Sequence, residues 1–173
     1  YTSSPASARR SINCCANRTR HSDAFPRTNF IDLIMLILLD RDGVLNENRS
    51  DYVKTPDELV LIKGSADAVS RLNHAGYQVA LVTNQSAVGR RIISEEMLKQ
   101  IHNKLREELG KRDAQIEKFF ICTDPPWAAT HRRKPAPGMI QEALSYFSTQ
   151  ASESCMIGDS LRDLEAAATL GCQ

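Results

Sequence analysis

The sequence carries little excess charge and has no long apolar run. Its net charge is +1, so its bulk electrostatics give no reason to expect nucleic acid or an anionic membrane as a partner. The longest apolar stretch near the start, Ile31 to Leu39, is interrupted by Asp32 and is shorter than the ~20 apolar residues of a membrane-spanning helix. Charged residues follow it at once instead of a cleavage site, so no signal peptide is predicted.

The cysteine pattern excludes one further class of protein. The five cysteines are odd in number and irregularly spaced, which is not typical of a disulfide framework. A reducing compartment is the simpler interpretation. We expect a protein of the cytoplasm for this reason. We also expect it to be a monomer that binds neither membranes nor nucleic acid.

Residues 1–34 lack the apolar periodicity that the rest of the chain shows. They are rich in Ser and Arg, and we expect them to be a disordered or non-native extension. Two interpretations stay open: the segment weakly resembles a transit peptide, or the natural chain starts at Met35. Residues 35–173 are predicted to form one domain. Because the chain ends just after its last helix, we expect this domain to be incomplete at its C-terminus.

From Met35 onward, apolar runs typical of buried strands alternate with helical patterns. The predicted strands are Met35–Leu39, Val79–Val82, Phe119–Ile121 and Cys155–Ile157. The predicted helices are Ser65–His74, Ser94–Leu109 with Ser94 as N-cap, Pro137–Phe147 and Leu161–Leu170. This alternation predicts an α/β fold with three layers, a Rossmann-like parallel sheet between helices.

Each predicted strand is followed by polar residues. The four segments are Asp40-Arg41-Asp42-Gly43, Thr83-Asn84-Gln85, Cys122-Thr123-Asp124 with Arg133-Lys134 beyond it, and Gly158-Asp159-Ser160. In open α/β sheets, ligands bind at the carboxyl ends of the strands. These four segments are therefore predicted to form one site.

The residue types at this edge suit phosphoryl transfer. Asp40, Asp42 and Asp159 offer hard oxygen ligands for Mg²⁺, which would let one anion approach another. Asp40 would attack phosphorus, and Asp42 would act as general acid and base. Lys134 and the hydroxyl group of Thr83 would stabilise the phosphoryl oxygens.

Four ordered motifs carry a resemblance over about residues 35–172. LDRDGVLN, VTNQ, RRKPAPGM and GDSLRD resemble the motifs of the haloacid dehalogenase-like phosphatases. Within that family, TNQSAVGR and RKPAPGM look most like the heptose bisphosphate phosphatases, with the histidinol-phosphate phosphatases second. The resemblance implies hydrolysis of a small phosphorylated metabolite through an aspartyl-phosphate. It also implies that Asp42 binds Mg²⁺ through its backbone carbonyl.

The same resemblance implies which residues contact the rest of the substrate. They are Asn84, Gln85, Arg133 and Tyr52. Too little chain separates the motifs from the helices for a large cap domain. Asp163 is left open between a site residue and a helix-surface carboxylate, and His102 is expected at the surface.

One segment departs from the family pattern. Relatives often have a zinc loop before RKP, but here the stretch is CTDPPWAATHRRKP, in which Cys122 and His131 fall short of four ligands. No zinc is predicted, and we expect the two prolines and Trp127 to stiffen this loop. An inactive phosphate-binding module on the same scaffold remains an alternative, as does phosphotransfer to an acceptor other than water.

Overall fold

The computed structural model describes residues 35–173, so the expectations for residues 1–34 lie outside the described residues. Four parallel strands form one sheet in the order β3-β2-β1-β4. The strands are β1 (Leu36–Leu39), β2 (Gln78–Asn84), β3 (Lys118–Cys122) and β4 (Ser154–Ile157). The helices are α1 (Ser65–His74), α2 (Ser86–Gly89), α3 (Glu95–Gly110), α4 (Gly138–Phe147) and α5 (Leu161–Ala168).

The register of the sheet brings the ends of the central strands level with one another. Leu39, the last residue of β1, pairs with Leu81 of β2 on one side and with Ile157 of β4 on the other. β2 continues past this level to Asn84, which pairs with Cys122 at the end of β3. The polar segments that follow the strands therefore emerge along the same edge.

The two faces of the sheet are buried under different helices. Alternate residues of β1, Ile37 and Leu39, belong to a cluster that includes side chains of α1 and α3. Leu36 and Leu38 belong to a second cluster that includes side chains of α4 and α5. Both faces of a central strand are thus apolar, as expected for a parallel sheet. The predicted three-layer α/β fold is confirmed.

The predicted helices differ from the observed ones in small ways. α1 has the predicted bounds, and the Ser94 side chain caps α3 by accepting a hydrogen bond from the backbone N–H of Met97. α5 ends at Ala168, two residues before the predicted end, and the short α2 was not predicted. The expected surface position of His102 is wrong, because it lies on the buried face of α3 with Leu98 and Leu105.

No large domain interrupts the sheet and its helices within residues 35–173. The connection between β1 and α1 is a loop with a single short 3-10 helix, Pro56–Glu58, and only α2 separates β2 from α3. The cleft at the strand ends is therefore open. A helix with the length and apolar character needed to cross a membrane does not occur among residues 35–173.

Candidate active site

The polar residues that follow the strands line one cleft of about 380 Å³. Eight of the nine predicted site residues line it: Asp40, Asp42, Tyr52, Asn84, Gln85, Arg133, Lys134 and Asp159. The ninth, Thr83, is buried at the end of β2, where its Oγ1 accepts a hydrogen bond of 3.0 Å from Nε2 of Gln85. The structure thus brings residues that follow all four strands to one cleft, although Cys122, Thr123 and Asp124 of the third segment do not line it.

Lys134 is the central cation of the cleft, although its side chain is only 2% exposed. Its Nζ lies 3.1 Å from Oδ1 of Asp40 and 2.5 Å from Oδ1 of Asp163, and it donates a hydrogen bond to the backbone oxygen of Val82. A buried ammonium needs such partners to keep its charge. The alternative of a helix-surface carboxylate is therefore wrong for Asp163, which is buried beside Lys134.

Asp40 lies at the end of β1, and its backbone N–H donates to the oxygen of Ile157 on the neighbouring strand. Burial raises the pKa of its carboxyl group above the ordinary value, and the charge of Lys134 opposes that rise. Asp40 thus combines a partly desolvated carboxylate with a cation at contact distance. This combination suits a carboxylate nucleophile.

Asp42 is held on three sides. The guanidinium of Arg41 donates to both carboxylate oxygens, at 2.9 and 3.0 Å from Nη2, and Asn46 and Gln85 each donate at 2.9 Å. Burial raises the pKa of Asp42, but the charge of Arg41 and these hydrogen bonds outweigh burial and hold it below the ordinary value. The carboxylate therefore has a fixed position at the side of the cleft.

Gly43 explains how Asp159 approaches the first strand. Gly43 has φ 81°, in the left-handed region that favours glycine, and a Cβ at this position would overlap the carboxylate of Asp159. Asp159 is exposed and accepts a hydrogen bond of 3.2 Å from Asn48. Ser160, not Asp159, is the N-cap of α5, so the Asp159 carboxylate remains available to a ligand.

Three carboxylates lie close enough to share a cation. One oxygen each from Asp40, Asp159 and Asp163 lies within 4.8 Å of the other two. This set differs from the predicted carboxylates in one member, since Asp163 takes the place of the Asp42 carboxylate, which is bound to Arg41. Binding of Mg²⁺ by the backbone carbonyl of Asp42 stays a prediction.

Asn84 and Gln85 have their amide groups engaged with other site residues. Asn84 donates to the backbone oxygen of Lys134 at 3.0 Å and accepts from its backbone N–H at 3.1 Å. Gln85 donates to both Asp42 and Thr83. Their predicted contacts with substrate stay predictions, and the structure gives both a second use, which is to position Lys134 and Asp42.

The far side of the cleft is basic. Arg90, Arg133 and Arg162 all line it, and none of them forms an ion pair with another described residue. Burial lowers the pKa of Arg133, and the charges of Arg162 and Arg90 add to this effect. Arg132, in contrast, pairs with Glu142 outside the cleft, at 2.7 and 2.9 Å.

The loop of residues 122–133 closes on itself through Asp124. The Asp124 carboxylate accepts hydrogen bonds from the backbone N–H and the hydroxyl of Thr130, at 2.8 and 2.6 Å. Trp127 does not pack inside this loop, because it is 71% exposed and lies against the guanidinium of Arg90, 5.0 Å from the ring centroid. Stiffening of the loop by Trp127 and the two prolines stays a prediction. The prediction that the loop binds no zinc stays a prediction.

Comparison with known proteins identifies the family. The sequence profile of the haloacid dehalogenase-like hydrolases matches residues 27–171. The chain belongs to the haloacid dehalogenase-like hydrolases. The resemblance carried by the four sequence motifs is therefore confirmed at the level of the family.

Two curated relatives and one solved structure show how far the similarity extends within these hydrolases. The chain is 43% identical over 136 residues to a D-glycero-beta-D-manno-heptose-1,7-bisphosphate 7-phosphatase of Neisseria meningitidis, covering 79% of this chain and 73% of the relative. It is 38% identical to the enzyme of that name in Pseudomonas aeruginosa, covering 80% and 78%. The crystal structure of D,D-heptose 1,7-bisphosphate phosphatase from B. bronchiseptica, complexed with magnesium and phosphate, is 38% identical with TM-score 0.78, covering 80% and 77%.

Sequence reasoning missed several residues of this hydrolase that contact the site. Arg41 and Asn46 lie inside the first motif, yet the structure is needed to show that both are buried against Asp42. Arg162 lies inside the fourth motif and was not distinguished from a solvated charge. His102 could have been found, since it lies four residues after Leu98 and three before Leu105, which is the spacing of one helix face.

Proposed function

We propose that this protein is a Mg²⁺-dependent phosphatase that hydrolyses a phosphate monoester of a small sugar bisphosphate, with D-glycero-D-manno-heptose 1,7-bisphosphate as the substrate. The observation that carries this proposal is the contact of 3.1 Å between the Asp40 carboxylate and the Lys134 ammonium at the base of an open cleft. A nucleophile and a cation for the phosphoryl oxygens lie side by side there. The names of the curated relatives support the choice of sugar.

In the first step, an oxygen of Asp40 forms a bond to phosphorus while the bond from phosphorus to the sugar oxygen breaks. Asp42 gives a proton to that departing oxygen, and the product is an aspartyl-phosphate on Asp40. Arg41 lowers the pKa of Asp42 in the free protein, and the negative charge of a bound phosphate acts in the opposite direction. Lys134 offsets the charge on the phosphoryl oxygens.

In the second step, water attacks the phosphorus of the aspartyl-phosphate and Asp42 accepts a proton from it. The bond between phosphorus and Asp40 breaks, which regenerates the Asp40 carboxylate and releases inorganic phosphate. Asp42 is ionised at the start of this step because it gave its proton to the leaving oxygen in the first step, so it can accept a proton from the water.

Asp40, Asp159 and Asp163 would hold Mg²⁺ in this reaction. Their oxygens are hard ligands, they converge within 4.8 Å, and they are the type of donor that Mg²⁺ prefers. When bound, the ion supplies positive charge that neutralises the phosphate. The magnesium and phosphate bound to the similar structure from B. bronchiseptica support this assignment.

The basic side of the cleft supports a bisphosphate over a monophosphate that carries an amine. Arg90, Arg133 and Arg162 present guanidinium groups without carboxylate partners among the described residues, and guanidinium groups bind phosphate in a bidentate manner. The ammonium of histidinol phosphate would be repelled there. Tyr52 also lines the cleft, and we expect it to contact the sugar.

A small phosphorylated metabolite is the partner, and a monomer of the cytoplasm is expected. The described cysteines, Cys122, Cys155 and Cys172, are free thiols, which is the form expected in a reducing compartment.

Phosphate release from a panel of substrates tests the proposal. Heptose 1,7-bisphosphate, fructose 1,6-bisphosphate and histidinol phosphate would each be assayed with and without Mg²⁺, with Asp40→Asn as the inactive control and Asp67→Asn as the matched surface control. We expect Mg²⁺-dependent release that prefers the heptose and is lost only in Asp40→Asn. A folded protein that binds inorganic phosphate with Mg²⁺ but releases none from any substrate would support the inactive binding module instead.

A further inference from the structure

Arg41 is buried between Asp42 of the cleft and helix α3. Its side chain is only 1% exposed, and its Nε and Nη2 atoms face Asp42 at 2.9 to 3.2 Å. Its third nitrogen, Nη1, points away from Asp42 toward α3. A buried guanidinium is costly unless each of its nitrogens finds an acceptor, so the partner of Nη1 matters.

His102 of α3 is that partner. Its Nε2 lies 3.3 Å from Nη1 of Arg41, and its ring is 3% exposed. Because a guanidinium can only donate, Nε2 of His102 must be the acceptor, which makes the ring neutral with its proton on Nδ1. The ring is fixed in turn by an edge-to-face contact with Phe119, at 5.3 Å between centroids.

We propose that His102 is a positioning residue, which fixes the guanidinium of Arg41 and through it the carboxylate of Asp42. The inference rests on the proposed role of Asp42 as general acid and base. Asn46 and Gln85 hold the same carboxylate from loops at the strand ends. His102 is the contact that joins this group to a long helix, α3, whose other buried side chains belong to the core.

The consequence lies in the orientation of a proton donor. Proton transfer to the leaving oxygen depends on the position of the acid, and small displacements of a catalytic group reduce rates strongly. Loss of the acceptor at residue 102 leaves Nη1 of Arg41 without its partner inside the protein, so Arg41 shifts and Asp42 shifts with it. The effect should be large for a leaving group that needs the proton and small for one that does not.

The dependence of kcat/KM on the leaving group tests this proposal. His102→Leu removes the acceptor at similar size, and His102→Gln keeps one, because the end of a glutamine side chain can occupy the place of Nε2. Heptose 1,7-bisphosphate releases a sugar alkoxide that needs a proton, whereas p-nitrophenyl phosphate releases a stable phenolate. For His102→Leu we expect kcat/KM to fall about fivefold or more with the sugar and less than about twofold with the aryl phosphate, the size expected for one lost hydrogen bond.

His102→Gln should stay within about twofold of the natural protein on both substrates, since it restores the hydrogen bond. Arg41→Lys gives the same test without altering α3, and it should show the same selective loss on the sugar. Equal losses on both substrates in His102→Leu and Arg41→Lys, or no loss on either, would overturn the positioning role. Failure of the proposed function would look different, because the natural protein would then release no phosphate or Asp40→Asn would keep its activity.

Discussion

At the scale of single residues, the pairing of buried charges organises this site. Lys134 is buried between Asp40 and Asp163, and each of the three groups would be costly to bury alone. The positive charge of Lys134 opposes the rise in the pKa of Asp40 that burial causes, and both carboxylates lie at contact distance from the buried ammonium. Asp163 therefore has two uses, one toward Lys134 and one in the group of carboxylates that can bind Mg²⁺.

His102 should make stability depend on pH. Burial lowers its pKa from 6.5 to about 3, and the positive charges of Arg41 and Arg106 add to this effect. Between these two values the unfolded chain binds a proton at His102 and the folded protein does not. The contribution of the neutral His102 to the free energy of unfolding is therefore fully present above pH 6.5. It is lost as the pH falls from 6.5 toward about 3, by up to about 1.4 kcal/mol per pH unit.

The free energy of unfolding, measured by urea denaturation from pH 7 down to pH 4, checks this expectation. The natural protein should lose stability more steeply than His102→Gln, because glutamine does not titrate. The difference between the two curves isolates His102 from the carboxylates, which titrate in both proteins. Parallel curves would contradict a buried neutral imidazole at this position.

At the scale of elements, the strands were predictable and the details of their ends were not. The apolar run of β1 predicts a strand buried on both faces, and parallel pairing then places Asp40 and Asp159 at the same edge. Sequence periodicity carries no information about loop geometry. The close approach of Asp159 to Gly43, and the two hydrogen bonds between the Asn84 side chain and the backbone of Lys134, are therefore found only in the structure.

Gly43→Ala tests the turn that follows β1. The added Cβ would meet the Asp159 carboxylate and would also strain a backbone with φ 81°. We expect a loss of roughly 1–3 kcal/mol in the free energy of unfolding from the backbone strain. Displacement of Asp159 should in addition lower activity at least about tenfold and raise the Mg²⁺ concentration needed for half-maximal rate.

Gly64→Ala is the matched control for Gly43→Ala. Gly64 has a similar φ of 87°, but no heavy atom lies within 4 Å of an added Cβ, so this variant carries the backbone strain without the overlap. It should lose stability and keep its activity. Equal activity in the two variants, measured as phosphate release over a range of Mg²⁺ concentrations, would show that Asp159 does not depend on the glycine.

At the scale of the whole molecule, motif order and strand alternation together predicted the family and the layered fold. The layered fold was predictable because short right-handed connections strongly constrain strand order and parallel pairing. The residues missed were charged or polar ones whose burial depends on particular hydrogen-bond partners. Arg41 is buried because Asp42 and His102 accept its hydrogen bonds, and no local pattern in the sequence reveals that pairing.

The open cleft places the Asp40 carboxylate within reach of a substrate, with no cap domain in residues 35–173 to cover it. The most direct test of the account is whether a phosphoryl group becomes attached to Asp40 during turnover. Protein mixed with heptose 1,7-bisphosphate and Mg²⁺ would be quenched in acid within milliseconds, digested and analysed by mass spectrometry. The account predicts one added phosphoryl group on the peptide that contains Asp40, absent when Mg²⁺ is omitted and absent in Asp40→Asn. Turnover at the natural rate by Asp40→Asn, or a phosphoryl group on a different residue, would contradict it.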